Sequence, residues 1–455
     1  MPSISLAVSL RGQLLSGTRS APPTPFSPID LFASNEPGVW YDPSDLTTLF
    51  TDTAGTTPVT APGQTVARMN DKSGRGNNAT QAAAASCPTY GVVPQGGRRN
   101  LLTWSEDFSN AVWSKQAGTT VTANQIAAPD GTTTADLVVG NGTNGLFSSP
   151  ITVPSNSQNT KSVWLRGVSG GETVILKDST QTVSTVSCNL TTSWQRFTLT
   201  ETQSGTTLGL WVDDIPSGGI YVWGAQLELG STATAYQRVS TAFDVTEAGV
   251  QSLSYLNFDG VDDFMVTPTI TPGIDKVQVF AGVRKLSDAA VAQVVGTRGV
   301  STANVFEVLA PSGTGGGFYF ASTGTSTSVA EAIAAAPATR VLTGLGDISG
   351  DRATLRLNST QVAQATTDQG TGNYSAQAIY IGRRGGTTLP LNGNIFSLLV
   401  RFGANLDTTA ITNTEAWVAS KSGFPNWANI VSPTIFARDD TAVLDRANSI
   451  IERRA

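Results

Sequence analysis

Apolar residues recur at every second position of this chain, in short runs that turn-forming residues bring to an end. In YVWGAQLEL (221–229), Tyr221, Trp223, Ala225, Leu227 and Leu229 fall on one side of an extended strand, which places Trp223 in a core. Val163, Leu165 and Gly167 share a side in an earlier run, as do Gln195, Phe197 and Leu199, and then Leu208, Leu210 and Val212. A period of two excludes helical bundles. Strands this short and closely spaced specify an antiparallel sandwich or jelly roll. The 46 Gly, 22 Pro and only 14% charged residues agree, because turns need the first two and long helices need charge.

Residues 1–28 end in a Pro-rich segment (Pro22, Pro23, Pro25, Pro28) that cannot pair as a central strand and reads as an extended arm. WYDPSD (40–45) and DKSGRGNN (71–78) supply turns within 29–97. In LNFDGVDDFMV (256–266) an Asp-Gly pair between apolar runs predicts a β-hairpin. VQVFAGVRK (277–285), ATLRLNSTQVAQ (353–364), AIYIGRR (378–384) and NIFSLLVRF (394–402) read as strands, and 407–420 as a helix capped by Asp407 or Thr408. The tail from Asp439 to Ala455 carries an apolar helical stripe of Val443, Leu444, Ala447, Ile450 and Ile451, with acids at its start and Arg453 and Arg454 at its end. Such a stripe needs a docking surface, on this chain, on a second copy or on another protein.

The sequence has no histidine, which removes Ser-His-Asp and Cys-His nucleophiles and every His-ligated metal centre. Cys87 and Cys188 lack metal-ligand spacing and are expected to be unpaired thiols. A net charge of −6 argues against a nucleic-acid partner. Neither an export signal nor an apolar run long enough for membrane insertion is expected.

WYDPSDLTTLF (40–50), DKSGRGNNATQ (71–81) and NFDGVDDF (257–264) resemble the successive signatures of LamG-like, concanavalin-type jelly rolls, with Met69 where a Trp is usual. The piece between the second and third resembles a module of tailed-phage structural proteins, similar in outline to carbohydrate-binding jelly rolls. It runs from RRNLLTWSEDFSNAVWSK (98–115) through APDGTTTADLV (128–138) and SWQRFTLT (193–200) to IYVWGAQLELGSTATAYQRV (220–239). Together these resemblances imply an all-β chain with two antiparallel β-sandwich (jelly-roll) domains, an extended N-terminal arm and a short C-terminal helix. The implied order is an arm at 1–28, a discontinuous sandwich of 29–97 plus 241–425, an inserted sandwich at 98–240, and a C-terminal anchor at 426–455. Three beads in sequence is the alternative, but 29–97 alone would make a poor core.

The resemblance also implies a virion setting: a fibre, spike or decoration protein made in the host cytoplasm, whose partners are capsid or tail proteins and host-surface polysaccharide. A homo-oligomer is expected, a trimer first, knotted through the terminal stripe. Sugar platforms need aromatic faces beside polar groups. Trp164 beside Arg166, Trp194 beside Arg196 and Trp211 beside Asp213 each place an indole on the side away from the core, as a glycan face requires. The same rings would equally serve to cover a second small cluster or to sit beneath a neighbouring domain. Asp259, Asp262 and Asp263 are weak Ca²⁺ candidates, since Asp-Gly turns use Asp for local hydrogen bonds; Asp42 and Asp45 read the same way. No other cofactor is expected. No strand carries alternating carboxylates for sugar hydrolysis. The expectation is a non-enzymatic virion protein that binds host glycans. A structural connector without sugar binding is the second reading, and a polysaccharide-degrading enzyme the third.

Overall fold

The computed structural model describes residues 26–180, 184–299, 301–313 and 315–423. The N-terminal arm up to residue 25, and the terminal stripe of Val443, Leu444, Ala447, Ile450 and Ile451, lie outside the described residues. The rest is all-β, in antiparallel sheets, with one helix.

Strands Gly38–Tyr41 and Thr89–Pro94 enter a ten-stranded sheet with strands drawn from 237–402. Strands Leu49–Phe50, Arg68–Met69 and Ala79–Thr80 enter a nine-stranded sheet with strands drawn from 265–381. One core joins these two sheets: Val39, Leu256, Phe258, Val283 and Val400 from the first meet Met69, Met265, Val294 and Phe318 from the second. Strands between 113 and 229 pair only among themselves, in two five-stranded sheets and one of two strands. Their core sets Val163, Leu165 and Val222 against Leu146, Val174, Leu176 and Val212. These are called the flanking and the middle sandwich below.

The three sequence motifs meet in the flanking sandwich. Lys72 Nζ lies 2.5 Å from Asp45 and 4.9 Å above the Trp40 ring. Gln81 Nε2 donates to the Phe264 carbonyl, and the Ser86 hydroxyl to Asp262 at 2.6 Å. Helix Thr408–Ser422 starts where Asp407 accepts from the Ala410 amide at 2.7 Å. It lays Val418 and Ala419 over Phe280, Val341 and Leu399 on the outer face of the ten-stranded sheet.

Two local expectations are corrected. The Asp-Gly segment is not a hairpin. Strand Ser252–Asp259 pairs with Thr89–Pro94 and Asn392–Phe402, whereas Met265–Val266 pairs with Ala79–Thr80 and Tyr380–Ile381 in the opposite sheet. Phe258 and Met265 both point into the shared core, so the turn carries the chain across it. Nor does Trp223 share a side with Ala225 and Leu227. Between the pairs Ser162–Gln226 and Trp164–Trp223 the strand Ile220–Leu229 holds one extra residue, and Gly224 there has φ +63. This bulge reverses the alternation. Ala225 and Leu227 face the core, and Trp223 turns outward with Tyr221 and Trp164.

Chain entry to and exit from the middle sandwich lie side by side. The Asn100 amide donates to the carbonyls of Ala225 and Gln237, at 3.0 and 2.9 Å. Gln237 Oε1 accepts from the backbone amides of Arg99 and Asn100, and its Nε2 donates to Glu247 at 2.8 Å. Arg99 also pairs with Glu247 at 2.9 Å. Asn100 and Gln237 are fully buried.

Candidate functional site

The six residues expected to make a glycan face lie on two different outer faces of the middle sandwich. One face belongs to the five-stranded sheet whose central strand is Trp211–Asp213, between Thr173–Lys177 and Leu146–Ser148. Val212, Leu146, Val174 and Leu176 point inward, which leaves Trp211, Asp213, Phe147, Ile175 and Lys177 outside. Trp211 stands directly opposite Phe147 on one side and Lys177 on the other. The Trp211 and Phe147 ring centroids are 5.5 Å apart at 51°. Lys177 Nζ sits 3.7 Å from the indole centroid and 2.6 Å from Asp213. Trp211 Nε1 and Asp213 Oδ1 have no hydrogen-bond partner among the described residues. Both atoms are buried, so what the face itself presents is aromatic surface beside a paired cation and carboxylate.

The second face belongs to strands Gln195–Gln203, Ser157–Gly167 and Ile220–Leu229. Trp164 lies opposite Arg196 and Trp223, and Arg166 opposite Tyr221, with its guanidinium 5.9 Å from that ring. Trp164, Trp194 and Trp223 pack with Ala128, Ala135 and Tyr236 into one cluster. Trp194 Nε1 donates to the Ala127 carbonyl at 3.0 Å and Trp223 Nε1 to Thr134 Oγ1 at 2.9 Å. Arg196 is engaged with the Thr234 carbonyl and the Ser162 hydroxyl, at 2.7 and 2.9 Å, and burial lowers its pKa. These rings close over the segments that follow residues 126 and 230.

Sequence reading missed Phe147, Lys177 and Tyr236. Lys177 ends TVILK, whose alternation marks it as outward; Phe147 lies in a three-residue strand, too short to show a period.

The carboxylates of Asp259, Asp262 and Asp263 come within 4.8 Å of one another. Each is engaged locally. Asp259 Oδ1 accepts from the Val261 and Asp262 amides, Asp262 from Ser86, and Asp263 from the Asp259 amide. Burial, aided by the neighbouring charge of Asp259, pushes the Asp263 carboxyl up to about 7. Asp42 pairs with Lys421 at 3.0 Å and Asp45 with Lys72. Cys87 and Cys188 are buried and free, and burial pushes both thiols up to about 11.

No protein-family model matches the chain, and no curated protein is similar to it. Among solved structures, the chain is similar to the Ruminococcus gnavus IT-sialidase CBM40 bound to α2,6-sialyllactose, at 15% identity over 31% of this chain and 85% of that one, TM-score 0.27. It is also similar to the tandem CBM22 modules of Paenibacillus barcinonensis Xyn10C, at 13% identity over 67% and 98%, TM-score 0.23. Mouse laminin α1 domains LG4-5 match at 12% identity over 61% and 90%, TM-score 0.26. Scores at this level bear on no residue of the chain.

Proposed function

We propose that this chain is a non-enzymatic, glycan-binding β-sandwich protein that works on the surface of a tailed-phage particle. The observation that carries the binding reading is the outer face around Trp211, where a tilted ring pair stands beside the Lys177–Asp213 ion pair. A sugar offers such a face apolar C–H surface for the rings and hydroxyls for the Lys177–Asp213 pair. The virion setting is supported by the sequence motifs alone, and with it go the capsid or tail partners and self-association through the terminal stripe.

The test is a glycan array probed with the full-length protein and with Trp211→Ala. Binding by the parent, reduced about tenfold or more in the variant at an unchanged melting temperature, is the expected outcome. Array binding that Trp211→Ala leaves intact would remove this face from the function. Release of reducing ends from capsule would make the protein an enzyme. A structural role without sugar binding is favoured by one observation, the Lys177 ammonium lying over the indole where a sugar would stack. In that reading the array is blank.

A further inference from the structure

Past the C-terminal end of helix Thr408–Ser422, the outer face of the ten-stranded sheet opens into a cavity of about 500 Å³, the size of a small-molecule site. Its floor is aromatic. Tyr255 and Phe396 meet at 5.8 Å, edge to face, beside Leu253 and Val93. Tyr255 lies across Gly91 on the neighbouring strand, where an added Cβ would come within 2.4 Å of the ring. Glycine at that position is what allows the ring to lie flat.

Beside the floor runs a polar row in strict cross-strand register. Asn257 faces Asn394, Asn394 faces Arg284, and Arg284 faces Thr339. All four line the cavity. Arg284 gives one hydrogen bond, to Thr339 Oγ1 at 3.2 Å. The side chains of Asn257 and Asn394 and the Tyr255 hydroxyl make none to any described residue. A second guanidinium, Arg98, enters from the segment leading to the middle sandwich and is held by the carbonyls of Asn100, Leu101 and Leu102. Neither arginine pairs with a carboxylate among the described residues, in a chain that carries 34 acids against 28 bases. Burial lowers the pKa of both, and Tyr255 is the one group whose charge acts on them.

Packing alone gives no reason for this row. Two half-buried guanidiniums without counter-ions are costly, and an arriving carboxylate recovers that cost through charge-assisted, two-pronged hydrogen bonds. The amides and hydroxyls beside them suit ring hydroxyls, and the apolar Tyr255–Phe396 floor suits the C–H surface of a ring. We propose that this cavity is a binding site for an acidic monosaccharide unit, a six-membered ring bearing a carboxylate, separate from the Trp211 face and independent of it.

The test is calorimetric titration of the full-length protein with glucuronate, N-acetylneuraminate, glucose and acetate. Binding of at least one acidic sugar, with glucose and acetate both much weaker, is the expected result. Arg284→Gln should weaken it about tenfold or more, and Tyr255→Phe by a few-fold. Trp211→Ala should leave it unchanged, so that failure here and failure of the Trp211 face are read separately. The proposal is overturned if neither acidic sugar binds, if glucose binds equally, or if acetate binds equally, which would reduce the site to an anion hole. It is also overturned if folded Arg284→Gln and Tyr255→Phe both bind like the parent.

Discussion

At the scale of single residues, period-two reading placed Trp211 and Asp213 on an outer face, because Leu208, Leu210 and Val212 are all buried. It could not pair them with Lys177 and Phe147, which register alone brings alongside. Nor could it give the raised pKa of Asp263, which comes first from burial, at 5% exposure, and then from the charges of Asp259 and Asp262. That residue has a measurable consequence. Its carboxyl keeps a proton up to about pH 7 in the folded protein, against 3.8 ordinarily, so the unfolded chain gives up the proton first. Stability therefore falls as pH rises from 4 to 7 and levels off above. Asp136, pushed up to about 6 by burial, adds a slope of the same sign that ends earlier. A chain without histidine has little else titrating between pH 6 and 7. Urea unfolding should show a loss of about 1 kcal/mol across that interval, mostly removed in Asp263→Asn, where the smaller slope from Asp136 remains. An equal loss in the variant would remove Asp263 as its source.

Among the elements, long strands were legible and their irregularities were not. Residues 277–285 and 394–402 lie within strands Lys276–Lys285 and Asn392–Phe402, and the helix expected at 407–420 is Thr408–Ser422. The bulge in strand Ile220–Leu229 was invisible, because a glycine between two apolar residues leaves the alternation unbroken on paper. The Asp-Gly turn departs from the expected hairpin for a related reason: turn chemistry fixes the local reversal and leaves open which sheet receives the next strand. Gly224 is the residue that holds the bulge. With φ +63, and with Trp164 Cδ1 3.0 Å from any added Cβ, Gly224→Ala should destabilise the middle sandwich by about 1–2 kcal/mol. Thermal unfolding followed by tryptophan fluorescence measures this, since Trp164 and Trp223 flank the site. An unchanged midpoint would mean that the strand can shift register without cost.

For the whole molecule, strand pairing mixes residues 38–94 with 237–402, and keeps 113–229 apart. We propose from this that the middle sandwich is an insertion in a discontinuous one. Replacing residues 98–236 with a short Gly-Ser linker, which spares strand Gln237–Thr241, should leave a β protein that unfolds in one transition, by calorimetry and far-UV circular dichroism. An insoluble or unfolded product would make the middle sandwich part of one folding unit. The all-β sandwich class was legible in the period-two runs, such as Leu208, Leu210 and Val212, all of them buried. The cavity was not, since its polar row draws one residue from each of four strands far apart in sequence.

The buried clasp at the junction has a mechanical consequence. Two backbones run side by side through it, and Asn100, Gln237, Arg99 and Glu247 tie them together on the inside. A single-stranded tether would act as a swivel, letting the middle sandwich rotate freely. A doubled, internally laced one resists twisting. A tug on the far end then reaches the ten-stranded sheet as torque and bending on a stiff lever, divided between two strands of rope instead of borne by one.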